Sequence, residues 1–237
     1  MNEKGLQVLE QYDIRLQRSF GGRGSLMLET DQGLKLLKEF AGSQTKLPCE
    51  QALLERLEER RVCGVDRIVP NRSGNLVSTG DYDTPYILKN WPPGRECDPR
   101  NEEELQRSMR TLARIHREAR GVWQLGEEEK RKCAGTERLR ELEKHNRELK
   151  RAQSFIRNRH KKGSFELLFL QCAEAVFRDG RLALEKLEAS GCGELYERAL
   201  REEHVCHGEY IHHNILISRQ ETAVVNFQHF EINVQVN

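Results

Sequence analysis

His207-Gly208-Glu209-Tyr210-Ile211-His212-His213-Asn214-Ile215-Leu216, followed after a short turn by Ala223-Val224-Val225-Asn226-Phe227, is the stretch that decides the reading of this 237-residue chain. A carboxylate at 209 and an amide five positions later share one loop. Phosphoryl-transfer loops need such a separation, because the carboxylate must meet an acceptor hydroxyl while the amide turns back towards metal-bound phosphates. Residues 215–218 and 222–227 read as short strands around Arg219-Gln220-Glu221, the second strand running into Asn226.

Working outward, the chain changes character near Trp91-Pro92-Pro93-Gly94. Before it, 14–20, 25–30 and 34–40 read as strands separated by Phe20-Gly21-Gly22-Arg23-Gly24 and Asp31-Gln32-Gly33, an antiparallel hairpin or meander. A helix is predicted from about 48 to 61, with Leu53, Leu54 and Leu57 at helical spacing and Pro48 in its first turn. Strands return at 65–69, 76–79 and 86–88 around the turns 70–75 and 80–84. After Gly94 the pattern is helical almost to 203. Asp98-Pro99 is the expected cap of a helix with Leu105, Met109, Leu112 and Ile115 on its apolar face. Residues 127–162 carry Leu139, Leu142, Leu149 and Ile156 at heptad positions around Asn146, which fits either a coiled-coil arm or a solvated helix with one buried stripe. Helices are also predicted over 165–187 and 194–203.

Composition excludes several classes. Lys+Arg number 39 and Asp+Glu 38, so there is no net positive field to attract a polyanion, and nucleic acid is not an expected partner. No window approaches the roughly 18 consecutive apolar residues of a membrane helix, and the first twelve residues lack a basic segment followed by an apolar run; a soluble, unexported protein is expected. The seven cysteines include no CxxC pair, which speaks for reduced thiols over a disulfide framework. His204, Cys206, His207, His212 and His213 crowd ten positions and could supply zinc ligands, the alternative to a structural histidine in the loop.

With these residues in place, the chain resembles the aminoglycoside phosphotransferase and choline kinase superfamily, and within it the spore coat protein S (CotS-type) group. The loop at 207–214 is similar to the family's H-x-D-x-x-x-x-N. Glu29-Thr30-Asp31-Gln32-Gly33 with Leu37-Lys38 is similar to its second and third strands, which makes Lys38 the phosphate-contacting lysine. Glu50, on the following helix, stands where the family keeps the glutamate that pairs with that lysine. Tyr86-Ile87-Leu88-Lys89-Asn90-Trp91-Pro92-Pro93-Gly94 resembles the hinge, whose backbone, at Leu88 and Asn90, would contact adenine, and Leu112-Ala113-Arg114-Ile115-His116 the family's L-A-x-x-H helix. Gly22 and Gly24 belong to a stretch that is either a phosphate-cradling loop or only a hairpin turn. The resemblance implies ATP and magnesium as cofactors, with Asn214 and Asn226 as metal ligands and Glu209 and Asn214 as the catalytic pair.

Two departures stand out. Glu209 replaces the family's catalytic Asp and reaches one methylene further, and a misplacement on the order of 1 Å can cost about a hundredfold in rate. Asn226 replaces the metal-binding Asp with a neutral amide where magnesium prefers a carboxylate. The chain also stops at 237, short of the family's further helices.

The resulting expectation is an α+β, protein-kinase-like two-lobe fold, truncated at its carboxyl end. A β-rich lobe with one helix would span 1–91 and a mostly helical lobe 92–237. The expected protein is a pseudokinase or weak ATP-dependent kinase of a small molecule or protein; the alternative is a non-catalytic structural or assembly protein of the spore coat. Nucleotide and spore coat proteins are the expected partners, with no membrane and no nucleic acid, and the cytoplasm or the spore coat the expected location.

Overall fold

A computed structural model describes residues 5–22, 24–121 and 127–235. Arg23 of the Gly-rich stretch and the last two residues lie outside these. The chain divides into two compact units, 1–133 with 203–237, and 134–202.

In the first unit the strands are β1 (Leu16–Gly22), β2 (Ser25–Thr30) and β3 (Gly33–Glu39), followed by helix α1 (Leu47–Glu59) and then β4 (Gly64–Val65), β5 (Ile68–Val69), β6 (Ser78–Thr79), β7 (Pro85–Asn90) and β8 (Arg95–Glu96). Helices α2 (Glu102–Glu118) and α3 (Glu127–Cys133) complete its first segment. The second unit holds α4 (Arg138–Arg157), α5 (Ser164–Ala189) and α6 (Cys192–Arg201). The chain then returns to the first unit with β9 (Val205–Cys206), β10 (Ile215–Ile217), β11 (Thr222–Val224) and β12 (Glu231–Ile232).

The main sheet runs β1-β2-β3-β7-β5, with β6 also on β7. Its meander β1-β2-β3 is the one expected from the turns at 20–24 and 31–33. Because successive side chains alternate across a strand, β3 serves two faces. Leu37 packs with Leu28 and Leu88 beneath Val8 and Tyr12. Leu36 packs on the other face with Met27, Trp91, Leu216, Ala223 and Val225. The second cluster joins the main sheet to the hairpin β10–β11, whose neighbours are β8 and β4. The tail from Val205 reads as β-like, but neither β8 nor the pairing of β9 with β12 is predicted, since two-residue strands leave no readable period.

The start of α2 differs from the expected Asp98-Pro99 cap. Asn101 is the cap, its side chain accepting from the backbone N–H groups of Glu103 and Glu104. The buried face is correspondingly displaced. Glu104, Ser108, Thr111, Leu112 and Ile115 are buried, while Leu105 and Met109 are exposed. The small hydroxyl residues can be buried because Ser108 Oγ donates to the Leu105 carbonyl and Thr111 Oγ1 to that of Arg107.

Within the second unit, the stripe Leu139, Leu142, Leu149 and Ile156 is half-buried on α4, which packs against α5. Asn146 in that stripe donates from Nδ2 to the Gly180 carbonyl of α5 at 3.1 Å. A Cβ at Gly180 would stand 2.6 Å from Asn146 Oδ1, so glycine permits this approach. The heptad pattern is thus used within the chain. Among the described residues, no helix is long and apolar enough to cross a membrane, and none of the seven cysteines is in a disulfide.

Candidate functional site

Alternation on β3 places Lys38 on the same face as Leu36, and the register sets Leu36 opposite Lys89 and Lys38 opposite Ile87 on β7. Two ammonium groups therefore compete for the acids of this face. Lys89 obtains them: its Nζ donates to Glu50 Oε1 at 2.8 Å and to Asp66 Oδ2 at 3.0 Å, with the lysine fully buried and both acids nearly so. Burial would lower the pKa of the Lys89 ammonium, but Asp66 and Glu50 together hold it above its ordinary value. The expected Lys38–Glu50 pair does not form. Lys38 Nζ instead donates to Gln228 Oε1. Burial and then the nearby Lys89 charge lower the pKa of Lys38, against the pull of Asp66, Glu50 and Glu209.

Lys89 and Asp66 were not singled out from the sequence. The available signal was a charge inside an apolar run, Lys89 after Tyr86-Ile87-Leu88 and Asp66 between Val65 and Ile68, because such charges are almost never fully buried unless paired. Asp66 also accepts from the backbone N–H of Asn226 at 3.0 Å, so the same carboxylate ties α1 and β7 to the segment after β11.

The 207–214 loop is built around a buried imidazole. His207 Nε2 donates to the Val225 carbonyl at 3.0 Å, and Nδ1 accepts from the Glu209 N–H at 3.2 Å, which defines a neutral tautomer. Burial pushes its pKa down to about 4. Gly208 adopts φ +84, and a Cβ there would lie 2.1 Å from the His229 carbonyl oxygen. Glycine alone fits where these two loops cross. Glu209 points outward, half-exposed, with Oε1 3.6 Å from His229 Nε2.

Asn214 and Asn226 do come together. Asn226 Nδ2 donates to Asn214 Oδ1 at 2.8 Å, and Asn214 Nδ2 donates to the Glu209 carbonyl at 3.0 Å. The Asn214 oxygen that would face a cation thus receives a hydrogen bond from its neighbour. Magnesium is a hard cation usually bound through one or two carboxylates. Here the converging pair is two neutral amides, and among the described residues no group of three or more His, Cys, Asp or Glu side chains could hold a metal ion. The donor set does not fit magnesium. It does not fit zinc either: Cys206 Sγ lies against the Asn233 and Val234 carbonyls, and His213 Nδ1 meets Glu96.

The hinge residues are placed differently from expectation. Leu88 is paired with Leu37 on one side and Val69 on the other, so its backbone is directed into the sheet and its side chain into the core around Tyr12. The Asn90 N–H goes to the Arg67 carbonyl at 2.8 Å and that of Trp91 to Leu34 at 2.9 Å. Pro92 and Pro93 have none to give. The edge of an adenine would find no free N–H from 90 to 93. The face of β3 that carries Lys38 is otherwise apolar: Phe20 and Leu34, partly buried, pack against the buried cluster of Met27, Leu36, Trp91, Leu216, Ala223 and Val225. Gly22 pairs with Ser25 across β1 and β2, and Gly24 takes φ +69 with open space where a Cβ would be, the conformation of a tight hairpin.

This arrangement, an antiparallel sheet with one helix followed by a largely helical part, is the protein-kinase-like fold of the aminoglycoside phosphotransferases. No family model matches the chain, and no curated protein does. Among solved structures, an aminoglycoside phosphotransferase from Alicyclobacillus acidocaldarius superposes with a TM-score of 0.75 at 17% identity, over 97% of this chain and 67% of that one. A spectinomycin phosphotransferase in complex with ADP and spectinomycin gives 0.65 at 11%, over 96% and 68%. An amicoumacin kinase in complex with AMP-PNP and Ca2+ gives 0.54 at 14%, over 95% and 63%. The chain spans about two thirds of each.

Proposed function

We propose that this chain is a nucleotide-binding, kinase-like protein of the phosphotransferase family and spore coat type whose transfer machinery is degenerate, a pseudokinase or a slow ATP-dependent kinase. The observation that carries this reading is the Asn214–Asn226 amide pair, which closes two neutral side chains on each other where charge would have to be neutralised on phosphates. Nucleotide binding is supported by the fold, by the Lys38 ammonium on the face that carries the apolar cluster, and by that cluster itself. ATP is the proposed ligand, and magnesium is left out because the donors do not suit it. The lobe boundary near Trp91, separating 1–91 from 92–237, is part of the same proposal. Residual transfer would form a bond from an acceptor hydroxyl to the γ-phosphorus, break the bond to the ADP oxygen and pass the hydroxyl proton to Glu209. The acceptor is a small molecule or a protein, and the protein acts in the cytoplasm or the spore coat.

A second reading, a structural or assembly protein of the spore coat, is favoured by one observation. In the second unit Phe155, Phe165 and Leu168 are 67%, 77% and 58% exposed, large apolar groups suited to contact with other coat proteins. Thermal melting of the full chain with ATP separates the readings. The first expects a rise in melting temperature with ATP whether or not magnesium is present. No rise in either condition would sink nucleotide binding and leave the assembly role.

A further inference from the structure

A second cleft, of about 820 Å³, lies in the first unit among the end of α1, β4, the segment 90–93, α2 and the turn at 220–222. Lys38, Glu209, Asn214 and Asn226 do not line it, whereas Asn90 and Trp91 of the hinge-like segment do. Its wall carries Arg61, Arg107, Arg110 and Arg114. The last three share one face of α2, at spacings of three and four residues. None of the four is in an ion pair among the described residues, although Arg67, Arg72, Arg95 and Arg117 of the same unit are. Of the two lining carboxylates, Glu58 is taken by Arg67 at 2.8 Å. Glu221 is left against four guanidinium groups.

Two of these side chains are also tied to backbone carbonyls. Arg114 Nη2 donates to the Arg61 carbonyl at 2.6 Å, and Arg107 Nη2 reaches the Ser218 carbonyl at 3.4 Å. Arg61 itself sits at φ 51, where it ends α1 through the Val62 N–H to Leu57 carbonyl bond of 2.9 Å. That left-handed position favours glycine, yet an arginine occupies it and faces the cleft. Guanidinium groups present flat, forked donors matched to phosphate oxygens. The volume lies within the range of small-molecule sites, roughly 300–1,000 Å³, and Pro92 and Pro93 supply an apolar flank.

We propose that this cleft is a binding site for a small phosphate-bearing molecule, distinct from the Lys38 face of the proposed nucleotide site, which it adjoins at Trp91, and independent of whether ATP binds there. The test is calorimetric titration of the full chain with inorganic pyrophosphate in metal-free buffer. Wild type is expected to bind, the Arg107→Gln/Arg110→Gln variant to lose at least tenfold in affinity, and Lys38→Met to change by less than twofold. If the double variant melts below wild type, Arg110→Gln alone serves, since that exposed side chain donates to Gln106 Oε1 within its own helix at 3.2 Å and is in no ion pair among the described residues. No binding at millimolar pyrophosphate, equal affinity in the arginine variants, or loss in Lys38→Met would overturn the proposal. So would tighter binding of a phosphorylated peptide than of pyrophosphate, which would make the cleft a protein-docking site.

Discussion

The Lys89 network and the Asn214–Asn226 pair lie in the same unit and are joined through Asp66, yet they have opposite electrostatic character. In the first, a buried ammonium meets two buried carboxylates. In the second, the converging groups are uncharged amides. The contrast teaches that the charges which hold the fold together are present while those that would handle phosphates at the loop are not. On the proposed reading the fold would persist without its chemistry, because a buried charge that loses its partner threatens stability and an amide pair on a loop does not.

The sharpest way to break this comparison is Lys89→Met. Glu50 and Asp66 would be left buried without their counter-charge, and removal of one partner from such a network typically costs about 3–5 kcal/mol. Urea unfolding should show a midpoint lowered accordingly; a loss below about 1 kcal/mol would mean that the network does not hold α1 to β7.

Acid comes next. His207 is neutral in the folded chain with its pKa near 4, against an ordinary 6.5. Above pH 6.5 neither state is protonated there, and its contribution to stability is fully present. As pH falls from 6.5 towards 4 the unfolded chain takes up the proton first, so stability should drop by about 3 kcal/mol over that window. Comparison with His207→Gln isolates the effect. If wild type and variant lose stability in parallel across the window, the imidazole is not buried as described.

The smallest effect belongs to the amide pair. Asn226→Ala removes one hydrogen bond between partly buried side chains, and the expected loss is about 1 kcal/mol. A loss comparable with that of Lys89→Met would place the two regions on the same footing and remove the contrast.

Much of the fold was legible in the sequence. The turns at 20–24 and 31–33 marked the β1-β2-β3 meander, and the apolar run into Asn226 marked β11. The spacing of Glu209 and Asn214 also identified a loop that does bring Asn214 to Asn226. The partner of Glu50 could not be read this way. Lys35, Lys38 and Lys89 are alike as residue types, and only the β3–β7 register puts Lys89 beneath α1 with Asp66 beside it. The hinge was misread for a similar reason. Whether a backbone N–H is free depends on its neighbours in the sheet, and the bonds from Asn90 to Arg67 and from Trp91 to Leu34 leave no trace in composition or periodicity.

The central claim, that the loop has lost its coupling to metal, is tested most directly by calorimetric ATP affinity with and without magnesium, in wild type and Asn226→Asp. Wild type should bind ATP with the same affinity in both buffers, within about twofold, while Asn226→Asp should bind more tightly, by about tenfold, only with magnesium. A wild-type affinity that itself rises tenfold with magnesium, or an aspartate variant indifferent to it, would contradict the account.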